Sequence, residues 1–260
     1  MKSLLRTALA ATLLLISAGN LHAQGRVVVS HDEWFTGDGF FNAGEQLFMS
    51  NTLNWFGVGS GASVLFYTDN VFLTNAPFQS WISGMGISIT VDAAAASFAA
   101  YDAVFTSGNS NLSATGAALA AYVGSGGNVL TIGGTGIGGA AAEAAYNNVF
   151  LGALGLAMQS PYNGVGTVNT SGFASEGPFG AALFTGVSSV YANNGNNIAI
   201  TGPVANVTAQ TFSTGANGVF AAAEVRSPSS AVPEPTTLLL LGTGLLALGG
   251  AAGLRRRHEA

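Results

Sequence analysis

Short apolar runs alternate with helix-like segments through the first two-thirds of the chain, and this alternation constrains the fold more than any other feature. The runs are RVVVS (26–30), SVLFYT (63–68), GISITV (86–91), AVFTS (103–107) and NVLTI (128–132). Their continuous apolar character is typical of strands that are buried on both faces of a parallel sheet. Strand–helix alternation of this kind predicts an α/β fold.

Local signals mark where the helices begin and end. Asn42 and Glu45 form a capping box, which predicts a helix that ends near Phe56. Ser113 is expected to cap another helix, and an alanine-rich stretch predicts a further helix over residues 140–156. With right-handed crossovers, these helices cover both faces of the sheet and give a three-layer, flavodoxin-like, mostly parallel arrangement.

The pattern changes after Pro161, where short β segments replace the helices. Two of these segments, residues 209–213 and 218–225, are joined by the turn sequence TGAN and predict a hairpin. We expect these extra β elements at the C-terminal end to extend the edge of the sheet. Residues 24–226 are therefore predicted to form one α/β domain.

The charge of this predicted domain excludes several classes of function. Residues 24–226 hold ten acidic residues and two arginines, Arg26 and Arg226, which leaves a net charge of −8. Nucleic-acid binding needs clusters of lysine and arginine, so nucleic acid is not expected as a partner. The chain also has no cysteine, which excludes disulfides, thiol nucleophiles and zinc–cysteine sites.

The first 23 residues have the pattern of a secretory signal peptide. Lys2 and Arg6 form a positive region, residues 4–16 form an apolar region, and Ala23 is a small residue that suits a cleavage site. Residues 1–23 are therefore predicted to be removed during export through the inner membrane.

Residues 236–254 predict a transmembrane helix that follows a short linker over residues 227–231. This segment carries no charge, and its 19 residues would extend about 28 Å as a helix, close to the hydrocarbon thickness of a bilayer. The cationic cluster that follows is expected to remain on the cytoplasmic side. It consists of Arg255, Arg256 and Arg257.

The order of motif, apolar segment and basic cluster over residues 232–260 resembles the PEP-CTERM sorting signal of Gram-negative bacteria. The motif itself is Val232, Pro233, Glu234 and Pro235. The resemblance implies recognition by an exosortase at the inner membrane, a transiently spanning helix, and a final location at the cell surface or outside the cell. It also implies an association with exopolysaccharide and biofilm. The alternative is an ordinary permanent C-terminal anchor.

A second resemblance concerns residues 26–225, which look similar to the class I glutamine amidotransferase-like superfamily. It is carried by YDAVFTSG (101–108) and AAYVGSGGNVLTIGGTG (120–136). Catalytic members have a cysteine on the glycine-rich elbow and a later histidine. Here the elbow carries Thr135 instead, and no histidine lies between His31 and His258. The resemblance therefore implies the fold without the family's catalytic residues.

Polar residues follow the predicted strands at their carboxyl ends, where open α/β sheets bind ligands. The candidates for a ligand or cation site are His31, Asp32, Glu33, Asp38, Asp69 and Thr135. Carboxylates in this group could hold calcium, and His31 could serve as a general base in a hydrolase. Helix capping and loop satisfaction would equally account for the same residues.

Aromatic residues adjoin these acids and include Trp34, Phe35, Phe40 and Phe41. Packing in the core is one interpretation, and a stacking surface for a glycan is another.

Together these observations predict an exported, exosortase-processed surface or matrix protein that is not an enzyme and needs no cofactor. The alternatives are a module that binds a glycan or a divalent cation at the carboxyl edge of the strands, and a hydrolase that uses His31.

Overall fold

The structure is a computed structural model that describes residues 24–226. The predicted signal peptide (1–23), linker (227–231), sorting signal (232–260) and transmembrane segment (236–254) lie outside the described residues. No helix within residues 24–226 has both the length and the apolar character needed to cross a membrane.

The described residues form a mixed α/β domain with eleven strands and five α-helices. The strands are β1 (Gln24–Ser30), β2 (Ser63–Phe66), β3 (Ser88–Val91), β4 (Ala103–Ser107), β5 (Asn128–Ile132), β6 (Leu156–Tyr162), β7 (Val168–Asn169), β8 (Ser189–Val190), β9 (Asn196–Ile200), β10 (Val207–Thr214) and β11 (Asn217–Arg226). The helices are α1 (Ala43–Phe56), α2 (Ala76–Gly84), α3 (Leu112–Gly124), α4 (Ala140–Leu151) and α5 (Gly180–Phe184).

The central sheet has seven strands in the order β10-β11-β1-β5-β4-β2-β3. Strands β1, β5, β4, β2 and β3 are parallel, so the prediction of a mostly parallel sheet is confirmed. In this order β1 lies beside β5, whereas the flavodoxin order places the first strand between the second and third.

The predicted hairpin is confirmed, and it extends the sheet beyond β1. Strand β11 pairs antiparallel with both β10 and β1. The remaining short strands do not join this edge, because β6 pairs with β9 and β7 pairs with β8 in two separate two-stranded sheets.

Helix α1 has the boundaries that its sequence signals predict. The amide of Gly44 donates to the side chain of Asn42 at 3.1 Å, and the amide of Asn42 donates to Glu45 at 3.3 Å, which completes the capping box. Gly57 ends the helix in the left-handed conformation, with φ of 73°. A residue with a Cβ adopts that conformation at a cost, so glycine suits this position.

Two other helix boundaries differ from the prediction. Ser113 lies inside α3 rather than capping it, and its hydroxyl donates to the carbonyl of Ser110. Helix α4 ends at Leu151 instead of continuing to residue 156. The side chain of Asn148 exchanges two hydrogen bonds with the backbone of Met158, and these bonds hold the start of β6 against the helix.

Two apolar clusters cover the two faces of the central sheet. One contains Phe48, Phe66, Phe105, Leu130 and Phe184, and it packs α1, α2 and α5 against one face. The other contains Val29, Val104, Leu119, Val129 and Phe150, and it packs α3 and α4 against the opposite face. The continuous apolar strand runs are explained by this burial on both sides.

Candidate functional site

The carboxyl edge of the parallel strands collects buried polar side chains from four strand ends. The segment His31–Glu33 follows β1, Asn70 follows β2, Ser107 ends β4, and Thr135 follows β5. All of these except Thr135 are buried, and Thr135 is half-buried. The sheet therefore gathers several of the predicted site residues at one edge.

Glu33 lies at the centre of this edge and is only 4% exposed. Its carboxylate accepts a hydrogen bond from the Asn70 amide at 2.5 Å and lies 3.5 Å from the Ser107 hydroxyl. Burial is the main cause that raises the pKa of Glu33 to about 8, and the nearby charges of Asp32 and Glu143 also raise it. The hydrogen bond from Asn70 acts in the opposite direction and lowers the pKa. Glu33 is therefore mainly protonated at neutral pH.

Glu143 is a second buried carboxylate at this edge, and the sequence did not single it out as a site residue. Its oxygens accept from the Thr135 hydroxyl at 2.7 Å, the Thr135 amide at 3.1 Å and the Tyr162 hydroxyl at 2.9 Å. Burial is the main cause that raises the pKa of Glu143. An acid in the first turn of α4 was a usable signal, because carboxylates favour helix N-termini.

His31 is enclosed and uncharged at neutral pH. Its side chain is completely buried, and its ring meets Phe220 edge-on. The Nδ1 atom lies 3.4 Å from the Asn163 amide, while Nε2 is buried without a hydrogen-bond partner. Burial lowers the pKa of His31 to about 4. A general base would need contact with substrate, which this enclosure does not provide.

Asp32 joins the turn after β1 to a distant loop. It accepts from the Trp34 amide at 3.0 Å, from the Asn194 amide at 2.6 Å, and from the Asn193 amide. Burial raises the pKa of Asp32, whereas these backbone hydrogen bonds lower it. Each bond satisfies a backbone donor, so the carboxylate has a clear structural role.

The remaining predicted acids, Asp38 and Asp69, have exposed side chains. They do not take part in the buried hydrogen bonds that hold Asp32 and Glu33. Among residues 24–226, no group of three or more histidines and acidic residues is arranged to hold a metal ion.

Four half-buried aromatic residues form a cluster near these buried carboxylates, and we call it the aromatic patch. It consists of Trp34, Phe40, Phe72 and Tyr191. Phe40 and Tyr191 are stacked with centroids 4.4 Å apart, and Trp34 lies 5.1 Å from Phe40 and 5.2 Å from Phe72.

The other aromatic candidates belong to the core. Phe35 is buried against Phe48, and Phe41 packs edge-on against Phe78 and Trp81. Aromatic residues that are neighbours in the sequence therefore have different surroundings in the fold, and the sequence alone does not indicate which of them lie near the surface.

Cavities of the described domain also lie away from the carboxyl edge. One of about 290 Å³ is lined by Tyr101, Asp102, Tyr122 and Asn128, close to the amino ends of β4 and β5. None of the four patch residues lines this cavity.

Comparison with known proteins identifies one segment of the chain. The family model described as the PEP-CTERM protein-sorting motif matches residues 231–257, which confirms the predicted sorting signal. No curated protein and no solved structure matches the chain. A PEP-CTERM signal implies export and processing by a membrane exosortase, and the match assigns no activity to residues 24–226.

Proposed function

We propose that this chain is an exported surface or extracellular-matrix protein whose α/β domain is released or re-anchored by an exosortase. The observation that carries the proposal is the sorting motif at residues 231–257. The predicted signal peptide over residues 1–23 supports export, and an association with exopolysaccharide and biofilm is part of the same proposal.

We further propose that the domain is not an enzyme and needs no cofactor. The Thr135 hydroxyl already donates a hydrogen bond to Glu143, and Glu143 accepts another hydrogen bond from the Tyr162 hydroxyl. His31 is buried and neutral, so it is poorly placed to activate a nucleophile. These contacts support a structural role for the polar edge. The glutamine amidotransferase-like fold stays a proposal that rests on the sequence stretches 101–108 and 120–136.

A substitution in the motif tests the sorting proposal directly. The full chain is expressed in a Gram-negative host that contains an exosortase, as wild type, Glu234→Ala and the control Pro228→Ala. Cell fractions are then probed for precursor and processed forms. Pro228 lies outside the matched motif, so its variant is expected to be processed like wild type.

The Glu234→Ala variant is expected to accumulate as unprocessed precursor in the membrane fraction. Equal processing of both variants would contradict recognition through the Pro-Glu-Pro motif. Absence of a processed form in wild type as well as in both variants would contradict exosortase sorting and favour a permanent C-terminal anchor.

A further inference from the structure

We propose that the aromatic patch is a binding surface for a neutral polysaccharide. The inference deepens the proposed function, because it names the class of molecule that the exported domain contacts. It rests on the patch itself, on the buried carboxylates that hold it, and on the distribution of charge over the described residues.

Three separate segments bring the aromatic rings together. Trp34 and Phe40 follow β1, Phe72 follows β2, and Tyr191 follows β8. Each ring is half-buried, so each keeps part of its surface in water. Phe35, by contrast, is enclosed in the core and is 1% exposed. The cluster therefore presents aromatic surface at the carboxyl edge of the sheet.

Buried carboxylates hold the loop that carries Tyr191. Glu45 accepts from the amide of Tyr191 at 2.7 Å, and Asp32 accepts from the amides of Asn193 and Asn194. Each of these bonds satisfies a backbone donor of the loop. The loop is thus fixed beside the turn after β1, and little ordering is needed when a ligand binds.

The segment that carries Phe72 is held through Glu33. Asn70 donates its side-chain amide to Glu33 and accepts from the amide of Phe72 at 2.7 Å. The Phe72 ring also lies against the backbone of Gly37, where an added Cβ would come within 2.6 Å of the ring. Phe72 is therefore positioned by both a hydrogen bond and a close approach to a glycine.

The chemistry of this surface matches a sugar chain. The C–H face of a pyranose ring is apolar and packs on an aromatic ring, while its hydroxyls need hydrogen-bond partners nearby. Exposed polar side chains adjoin the patch in sequence on two sides, with Asp38 near Phe40 and Asn193 with Asn194 near Tyr191. Carboxylates and amides of this kind can accept from or donate to hydroxyl groups.

The charge of the domain selects a neutral ligand over an anionic one. Residues 24–226 carry a net charge of −8, and the two arginines lie toward the amino edge of the sheet, where Gln24 pairs with Arg226 and Arg26 contacts Trp55. No cation of the described residues therefore lies beside the aromatic patch. An anionic polymer would be repelled, and specificity often depends on such repulsion.

The test uses the exported chain, which contains the folded domain of residues 24–226, and measures its binding to two sets of polymers. Dextran, amylose and a soluble β-glucan serve as neutral probes, and alginate and heparin serve as anionic probes. Affinity electrophoresis reports binding, and quenching of tryptophan fluorescence reports contact with the rings. The variants are Trp34→Ala, Trp34→Phe and the control Trp55→Ala, whose ring packs against Phe179 instead.

We expect at least one neutral glucan to bind and no anionic polymer to bind. Trp34→Ala is expected to weaken binding by about tenfold or more, because truncation of an aromatic contact residue has effects of this size. Trp34→Phe is expected to retain most of the affinity, and Trp55→Ala is expected to bind like wild type. Melting temperatures of all variants confirm that they are folded.

Three results would overturn the inference. They are failure of every neutral probe to bind, equal binding by Trp34→Ala and Trp55→Ala when both are folded, and self-association that is lost in Trp34→Ala while no glycan binds. The last result would assign the patch to a second copy of the chain. Sorting at the Pro-Glu-Pro motif is measured separately, so a processed protein that binds no glycan would leave the proposed function intact.

Discussion

At the residue scale, Glu33 links the stability of the domain to pH. Burial raises its pKa to about 8, whereas a glutamate in the unfolded chain titrates near 4.5. Between these values the folded state holds a proton that the unfolded state lacks. The free energy of unfolding therefore falls as the pH rises through this window.

His31 has the opposite effect at lower pH. Its pKa is about 4 in the folded domain and near 6.5 in the unfolded chain, so the unfolded state holds the extra proton between these values. This contribution raises stability as the pH rises from 4 to 6.5. The effect of Glu33 is therefore best measured above pH 6.5, where the two groups no longer compete.

We expect Glu33→Gln to be more stable than wild type at pH 9 and to have a flatter pH profile from 6.5 to 9. The glutamine keeps an acceptor for Asn70 and removes the ionisation. The free energy of unfolding is expected to rise by about 1 kcal/mol or more, and each kcal/mol corresponds to an increase of about 2–4 °C in Tm. Chemical denaturation across this range measures it. The exposed control Glu176→Gln is expected to follow wild type, and parallel profiles for all three proteins would contradict the assignment.

Thr135 provides a second prediction at the residue scale. Thr135→Val keeps the shape of the side chain but removes the hydroxyl that donates to Glu143, and it is expected to cost about 1–3 kcal/mol of unfolding free energy. Thr135→Ser keeps the donor and is expected to cost less than half as much. Urea denaturation compares the two variants, and equal losses would show that the hydroxyl does not stabilise the elbow.

At the scale of elements, β11 and β9 approach each other closely at Gly218. A Cβ added at Gly218 would lie 1.9 Å from the carbonyl oxygen of Ile198, so the strands would have to separate. We expect Gly218→Ala to lower the unfolding free energy by about 2 kcal/mol or more. Thermal unfolding monitored by circular dichroism measures the loss.

The matched control is Gly152→Ala. Gly152 has φ of −58° and ψ of −33°, and an added Cβ meets no atom within 4 Å. This variant is expected to be neutral or stabilised by about 0.4–1 kcal/mol, because alanine restricts the unfolded chain. A loss at Gly152 as large as that at Gly218 would contradict the close approach as the cause.

The same elements show how far sequence patterns predict this fold. The limits of α1 follow from Asn42, Glu45 and Gly57, because a capping box and a C-terminal glycine act locally. The end of α4 does not, because it depends on hydrogen bonds between Asn148 and Met158, ten residues away. Strand order and the two small sheets depend on contacts that are more distant still.

At the scale of the whole molecule, the sequence predicts that polar residues come together at the carboxyl edge, but it does not predict their hydrogen bonds or their burial. Parallel strands guarantee that His31, Glu33 and Thr135 approach one another. Which groups they bond, and that His31 is enclosed, depends on burial created by the complete fold. Tyr191 belongs to the aromatic patch only because Asp32 and Glu45 hold its loop, a contact between residues about 150 positions apart.

The two ends of the described domain lie side by side. Gln24 pairs with Arg226 at the amino edge of the parallel strands, and the aromatic patch lies at the carboxyl edge. Within the described domain, the position where the chain continues toward the sorting motif is therefore distinct from the proposed glycan surface. A domain arranged in this way can be cut near the motif without loss of any patch residue.

The intact mass of the protein recovered from the cell surface or the medium tests the central claim most directly. The account predicts loss of residues 1–23 and of the segment beyond the Pro-Glu-Pro motif at 233–235, with any added mass reporting an attached group. A mass that retains residues 236–257 would contradict exosortase sorting and would identify the chain as a permanently anchored protein.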